Sequence, residues 1–438
     1  MFINEVITKI WEPVSLQYEK TYKEASLLST EELFNLIKEN IEEKINYIRV
    51  INTPDFSITA LATSGCPHCN KNGKFAACSM CDYSSPHAIG IARMDNLKHR
   101  SPELYAQIVR LSFEQARGVM PESSILESIT TYDSLNSEEV TDEVFDEVFG
   151  KGELFKGKPF KLGIETRASS VTQSKLVKWK EKLGKRVRVE IGVEVKNDWI
   201  RNNWINKNIT NDHIKNAVEL IIETGWEPNG NVLIGIPGLT EEQSIELFYE
   251  TVIWMDQLGF KYIICSPVAI KEMTLQGFLY RELRENESLV DLGVAYGEQT
   301  GMPWIFTVVR AIHAVISRRP DLARKLILSE VNFPNYYNCI EPFYNKNGML
   351  NNISDIKKSI REFALNKDPK VIIDLYSTIQ EHPYYTLYQI ILDKQKKYSD
   401  IKTVISKVGE EISKVMWPDN WNEKVSELKE ELGNLTVT

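Results

Sequence analysis

The chain has 438 residues, 42% hydrophobic and 26% charged, which is ordinary globular usage and excludes a disordered or fibrous protein. Lysine and arginine number 52 against 61 aspartates and glutamates, and the resulting charge of −9 is a poor electrostatic match for a nucleic-acid backbone. No apolar stretch approaches the ~20 residues of a membrane-spanning helix. The start of the chain also lacks the basic-then-apolar pattern of a signal peptide, so a cytoplasmic protein is expected.

Taken in chain order, the residues before Thr53 have a helical pattern, with Leu33, Phe34, Leu36 and Ile37 followed by Ile41 and Ile45. A β-type run at 56–63 leads into a segment that holds four of the six cysteines, Cys66, Cys69, Cys78 and Cys81. Beyond it, strands are predicted over 125–130, 160–166, 186–194, 231–236 and 261–269. Helices are predicted between them over 138–149, 171–183, 211–224 and 241–258. Strands alternating with helices imply βαβ units and a parallel sheet, so the fold class is α/β. After about Arg310 the pattern is helical again, over 311–317, 355–365, 369–379, 385–391 and 399–417. The expected organisation is a helical extension over 1–52, an α/β unit over 53–309 and a helical region over 310–438.

Thiols this close together in a reducing compartment argue for metal ligation or redox chemistry rather than structural disulfides. The segment alone admits two readings. Cys66-x2-Cys69 and Cys78-x2-Cys81 form two knuckles that close on one zinc, which would make the protein an interaction module. Alternatively, three of the four thiols hold a [4Fe–4S] cluster and leave one iron open. Position favours the second: parallel α/β folds bind ligands at the carboxyl ends of their strands, and this loop follows the first strand. Cys265, on the last predicted strand, reads as a small buried hydrophobe, Cys339 as buried, and His68 and His87 as polar loop residues. The lysine-rich run 175–186 carries Leu176, Trp179 and Leu183 at helical spacing, so its charges read as a solvated helix face rather than an RNA contact. Tyr336, Tyr337, Phe343, Tyr344, Tyr384 and Tyr385 read mostly as a second helical core.

The opening Gly65-Cys66-Pro67-His68, an eleven-residue gap after Cys66 and the closing Cys78-Ser79-Met80-Cys81 resemble the radical S-adenosylmethionine (SAM) superfamily. The branch holding the elongator catalytic subunit, oxygen-independent coproporphyrinogen oxidase and the archaeosine-synthase radical SAM partner is the most similar. Three later motifs also resemble it: Gly163-Ile-Glu165-Thr-Arg167, Val189-Glu-Ile-Gly192-Val-Glu194 with Lys207 thirteen positions on, and Asn231-Val-Leu-Ile-Gly235-Ile-Pro237-Gly238. Tyr132-Asp133-Ser134-Leu135 and Met302-Pro303-Trp304 resemble the archaeosine-synthase partner in particular, and the likeness runs from about Phe56 to Phe306. The long first gap departs from the superfamily's commonest Cys-x3-Cys-x2-Cys, Met80 stands where an aromatic is frequent, and Cys69 is surplus.

The resemblance implies a partial (β/α)6 TIM-like barrel with helical N- and C-terminal extensions. It implies a [4Fe–4S] cluster on Cys66, Cys78 and Cys81, and S-adenosyl-L-methionine held by Tyr83, Asp133, Glu165, Glu194, Lys207 and Asn231. In that assignment Glu165 and Asn231 face the ribose or the methionine part, Glu194 takes the amino group, Lys207 pairs with the carboxylate and Tyr83 lies near the adenine. Asp133 belongs to a segment where relatives contact the amino group, and no catalytic acid or base is nominated. The implied reaction is hydrogen abstraction, with electrons from a flavodoxin or ferredoxin-type reductant; the acidic charge points to a small-molecule or metabolite substrate, with tRNA or a modified nucleoside as the alternative. Transfer RNA is disfavoured as the substrate by the acidic charge.

Overall fold

β-Branched runs that alternate with amphipathic helices build a sheet covered on one side. The computed structural model describes residues 1–43, 50–52, 56–71, 73–118, 125–151, 161–297, 300–329 and 353–436. Cys339, Tyr336, Tyr337, Phe343 and Tyr344 lie outside the described residues. The strands are β1 (Val50–Asn52), β2 (Phe56–Ala60), β3 (Asn70–Lys71), β4 (Lys74–Phe75), β5 (Leu126–Thr130), β6 (Lys161–Thr166), β7 (Val187–Glu194), β8 (Glu227–Ile234), β9 (Tyr262–Pro267) and β10 (Leu326–Leu328). Eight of them form one sheet in the order β1-β2-β5-β6-β7-β8-β9-β10. β1 runs antiparallel to β2, and the other seven are parallel and curl into a half-barrel. The six strands anticipated from alternation are β2 and β5 to β9, and the structure adds β10 as a seventh.

The helices Asn211–Thr224 and Glu241–Leu258 have the predicted bounds, and each is closed by a Thr capping box at its start and a left-handed glycine, Gly225 or Gly259, at its end. Strand β8 begins four residues earlier than predicted, at Glu227 rather than Asn231. Pro228-Asn229-Gly230 reads as a turn by composition, yet it is paired along β7 and β9, so tertiary pairing overrides local preference. Predicted helix 138–149 shrinks to Asp142–Val144 followed by a π-helical stretch, Phe145–Gly150.

Leu162, Ile164, Val187, Val189 and Ile191 are fully buried on the outer face of the sheet. They share a core with Leu176 and Trp179 of helix Gln173–Leu183 and with Ile221, Phe248 and Val252 of the next two helices. Burying each such side chain contributes about 1.5–3 kcal/mol. The alternate residues face the concave side, where Glu165, Arg188, Glu190, Asn231, Tyr262, Ile264 and Ser266 are all only half-buried. At the amino ends of the strands this face is closed by ion pairs, Lys161 and Arg188 both reaching Glu227 at 2.8 Å.

A second core joins the helix Phe2–Ile10 to the helices Ile401–Met416 and Trp421–Leu432, through Phe2, Ile3 and Val6 against Val404, Val408 and Leu428. The helices Ser354–Asn366 and Pro369–Thr378 join the barrel core instead, beside the helix Ile305–Ile316. None of the helices among the described residues is long and apolar enough to cross a membrane.

Candidate active site

The long gap between Cys66 and Cys78 is a β-hairpin. Strands β3 and β4 pair antiparallel, with Asn70 opposite Phe75, and Gly73 turns the corner at φ +83°. Phe75 is fully buried, with its ring stacked on Trp11 at 5.8 Å between centroids and edge-on to Tyr18 at 5.3 Å. The hairpin is thereby pinned to Trp11, at the junction of the helices Phe2–Ile10 and Glu12–Ser26, and to Tyr18 of the second. At its base, the Ala76 amide donates to the Cys69 carbonyl at 2.9 Å, so the chain re-enters next to where it left. Cys69 and Cys78 are buried, and Cys66 and Cys81 are half-buried.

The remainder of the loop is stitched to two other βα loops. The Ser79 amide donates to the Ile205 carbonyl (2.8 Å), Asn206 Nδ2 to the Ala77 carbonyl (2.9 Å), and His68 Nε2 lies 2.7 Å from the Asn206 carbonyl. On the other side the Leu275 amide donates to the Ser79 carbonyl (2.7 Å), and the Met273 amide to Asp82 (3.2 Å). Burial, with Arg167 adding, lowers His68 to about 3, so its ring is neutral. Tyr83 lies just beyond, with Lys271 Nζ 4.9 Å from its ring centroid.

Burial pushes the Cys66 thiol up to about 12, against the pull of Arg167, and the Cys81 thiol up to about 11, with Cys78 raising it further and Lys271 and Lys207 drawing it back. Cys69 is raised by burial first, and Cys66, Cys81 and Cys78 raise it further. Metal binding would displace these protons. Thiolates on one tetrahedral ion sit about 3.8 Å apart, given a zinc–sulfur bond of about 2.3 Å. Among the described residues no three or more Cys, His, Asp or Glu side chains are gathered for a single ion. The thiols, ringed by Arg167, Lys207 and Lys271, would suit an anionic metal group, for which three of them could serve as ligands. Ser79 Oγ, buried and without a hydrogen-bond partner one residue from Cys78, is a donor that the sulfides of such a group would satisfy.

Strand β7 ends in a register shift between Gly192 and Glu194, and Glu194 adopts φ +64°. A left-handed glutamate costs about 1–2 kcal/mol, and here the bend is held from outside. The fully buried Arg201 donates from Nε to the Val193 carbonyl at 3.0 Å and from its Nη2 to the Val195 carbonyl, one on each side of Glu194. The bend puts Glu194 Oε1 2.6 Å from Lys207 Nζ, both residues being buried. Burial would discharge Lys207, but Glu194 and Cys78 outweigh it and hold the ammonium above its ordinary range. A Cβ on Gly192 would lie 2.4 Å from Lys207 Nζ and 2.6 Å from Glu194 Oε1, so the pair occupies the space that a side chain there would fill.

The remaining nominated residues divide. Asn231 Nδ2 donates to Glu190 Oε1 at 2.7 Å, below the Glu194–Lys207 pair on the same concave face. Glu165 pairs in register with Glu190 and is half-buried. Asp133 is fully buried, and its carboxylate accepts from Thr166 Oγ1 (2.6 Å), the Arg167 amide (2.9 Å), Ser170 Oγ (2.6 Å) and Asn136 Nδ2 (3.2 Å). Asp133 thus binds one βα loop to the next and sets the position of Arg167. Sequence reasoning passed over Arg167, although it stands in the quoted third-strand motif, and also over Lys271 and Glu139; it weighed Glu190 as an ion-pair partner of Arg186 or Arg188, and the structure gives it a hydrogen bond from Asn231. Glu139 accepts from Thr63 Oγ1 (2.7 Å) and from the Tyr132 and Asp133 amides (2.9 and 2.7 Å), tying the cysteine loop to the Asp133 loop. Cys265 is fully buried, as expected, and so are the apolar residues of the lysine-rich helix, Leu176, Trp179 and Leu183.

No protein-family model matches the chain, and no curated protein does. Among solved structures it is similar to the radical S-adenosylmethionine methyltransferase TsrM from Kitasatospora setae with tryptophan substrate and a SAM analogue bound (14% identity, 53% of this chain and 40% of that one, TM-score 0.34). It is similar to the archaeal Methanocaldococcus infernus Elp3 (16% identity, 52% of each chain, TM-score 0.36). It is also similar to methylornithine synthase, PylB (13% identity, 82% of this chain and 96% of that one, TM-score 0.35). The chain spans less than half the length of the TsrM chains it matches, 40% and 37%.

Proposed function

We propose that the chain is a radical SAM enzyme that modifies a small molecule by hydrogen abstraction. The observation that carries this reading is the placement of four thiols, ringed by Arg167, Lys207 and Lys271, on the loop after the first parallel strand. Cys66, Cys78 and Cys81 would hold a [4Fe–4S] cluster, with Cys69 at the base of the hairpin as the surplus thiol. When bound, the cluster and SAM supply a one-electron cleavage that yields a 5′-deoxyadenosyl radical. This chain's own part is to bind and orient. The methionine end of SAM carries an ammonium and a carboxylate, and Glu194 and Lys207 offer the opposite charge to each. Tyr83 and Lys271 form a wall for the adenine, and Asn231 and Glu165 supply polar groups for the ribose. Asp133 acts through Arg167, which it positions. Reduced thiols fit a cytosolic setting, with a flavodoxin or ferredoxin-type protein as the electron donor.

Anaerobic purification tests the reading. About four irons and matching sulfide per chain, with a brown colour, are expected; one zinc and no iron would sink it. Cys66→Ala, Cys78→Ala and Cys81→Ala should each lose the iron, whereas Cys69→Ala should keep it. Iron loss in Cys69→Ala with retention in Cys66→Ala would reverse the ligand assignment.

A further inference from the structure

The helices Ser354–Asn366 and Pro369–Thr378 form an antiparallel pair, since only Lys367 and Asp368 join them and Lys367 takes the left-handed conformation, φ +57°, that turns the chain. One side of the pair is buried in the barrel core through Ile360, Phe363 and Ile372. The other side leaves a groove of about 620 Å³ between the helices, and Ile379, His382 and Pro383 line its far end. The pair packs at the β10 edge of the sheet, whereas the thiol loop follows β2 near the opposite edge. No residue that lines the groove is among those assigned above to the cluster or to SAM.

The groove has an apolar floor and an acidic rim. Of the apolar residues lining it, Ile356 and Ile379 are buried and Val371 and Leu375 half-buried. Asp355, Glu362, Asp374 and Glu381 line it as well and are all exposed, while no lysine or arginine does. Asp374 is met by Lys370 of its own helix, an exposed pair of the kind that contributes little. Asp355, Glu362 and Glu381 form no ion pair among the described residues. Asp355 and Glu362 stand seven residues apart on one helix, which is two turns or about 10 Å. The antiparallel pairing sets Glu381 across from Asp355 and Asp374 across from Glu362, so each end of the groove carries two carboxylates.

We propose that this groove docks a cationic amphipathic helix of a partner protein. Two antiparallel helices with an apolar seam leave the third place of a bundle open, and a helix laid there buries its own apolar stripe on the floor. Apolar residues at i+3 and i+4 of that helix meet Ile356, Val371, Leu375 and Ile379. Basic residues at i and i+7 span the same 10 Å, about two turns, and reach the carboxylates at the two ends. An acidic helix would set like charges against the rim, and an uncharged one would leave the rim unmatched. The chain's own charge of −9 disfavours a second copy as the occupant. The docking surface stands apart from the enzyme reading, because no residue of the groove takes part in it.

The test is fluorescence anisotropy of the full chain with a labelled 16-residue helical peptide built on alanine. The peptide carries Lys at two positions seven apart, and Leu at the third and fourth positions after the first Lys. One control peptide has Glu in place of both Lys; the other has the same composition with its Leu residues moved to the opposite face. Saturable binding of the first peptide, at least about tenfold tighter than either control and weakened by salt, is expected. Asp355→Asn combined with Glu362→Gln, both at exposed positions, should weaken it about tenfold with the melting temperature unchanged. Ser359→Arg, which sets a cation inside the groove, should weaken it at least as much. No binding, equal binding of the composition-matched control, or unchanged binding in the double variant would overturn the proposal. Binding that tightens about tenfold when a Gly-Ser linker replaces residues 330–352 would overturn it by giving the groove to that segment, and binding lost as the chain dimerises would give it to a second copy.

Discussion

At the scale of single residues, the site turns on one bend. Glu194 is held in a left-handed conformation by Arg201, and Gly192 leaves room for the Lys207 ammonium above the strand. Gly192→Ala places a methyl group where Lys207 Nζ and Glu194 Oε1 now lie, but those atoms are the ends of flexible side chains. The expected outcome is therefore a stability change below ~1 kcal/mol, at the low end of overpacking costs, with SAM affinity reduced about tenfold or more. Thermal melting and SAM titration on one preparation check this, and an unchanged SAM affinity would remove the Glu194–Lys207 pair from the cofactor site. Glu194 and Lys207 were nominated by the likeness to a family motif, and the structure pairs them at 2.6 Å. Arg201 and Glu139 were not, since their roles are hydrogen bonds to backbone groups that come near only once three loops have closed.

At the scale of elements, the hairpin β3–β4 explains how an eleven-residue gap still brings Cys78 back beside Cys66. Its corner needs Gly73, where an added Cβ would take a left-handed conformation and lie 3.3 Å from the Tyr18 ring. Gly73→Ala should cost about 1–2 kcal/mol, and Trp11→Ala, which removes the ring under Phe75, about 3–5 kcal/mol. Both are read by chemical denaturation. On the proposed function both should also shed iron faster under air than the parent protein, because the hairpin leads the chain back to Cys78, one of the three proposed ligands. Iron retention at the parent rate in Trp11→Ala would show that the cluster loop stands without its support. From the sequence this segment was only a long gap. Two-residue strands have no periodicity to read, and the aromatic partners that stabilise them lie some sixty residues away at Trp11 and Tyr18.

At the scale of the whole molecule, the barrel and its C-terminal helices meet around a buried acid. Glu241, at the first turn of helix Glu241–Leu258, accepts from Tyr296 Oη at 2.9 Å and from Thr307 Oγ1, and Thr307 Oγ1 lies 2.8 Å from Tyr388 Oη. Burial raises its carboxyl from 4.5 to about 7 in spite of these donors. A folded-state value above the unfolded one means that the native state holds the proton more tightly. The stabilisation from this group is therefore complete below about pH 4.5 and is lost as pH rises through about 7. The loss is on the order of 3 kcal/mol. Glu241→Gln should accordingly melt close to the parent at pH 5 and above it at pH 8, with the gap opening between. Parallel melting curves across that range would assign the pH dependence elsewhere, for example to Glu139, which burial also raises, to about 8.

The sequence by itself determined the alternation of six strands with helices, the buried faces of those helices and the clustering of the thiols after the first strand, because periodicity, capping residues and spacing are local properties of a chain. Asn211–Thr224 and Glu241–Leu258 were legible to the residue for that reason. Only the tertiary structure decided that Leu326–Leu328 joins the sheet as a seventh parallel strand, that the strand before Asn231 extends back to Glu227, and that Arg167 and Lys271 stand around the thiols. It also decided which strand residues meet on the concave face, where Asn229 is left with an acceptor unmet. Those features depend on register between strands and on closure of loops far apart in the chain. Three-residue segments and single charges carry no pattern from which that closure can be read.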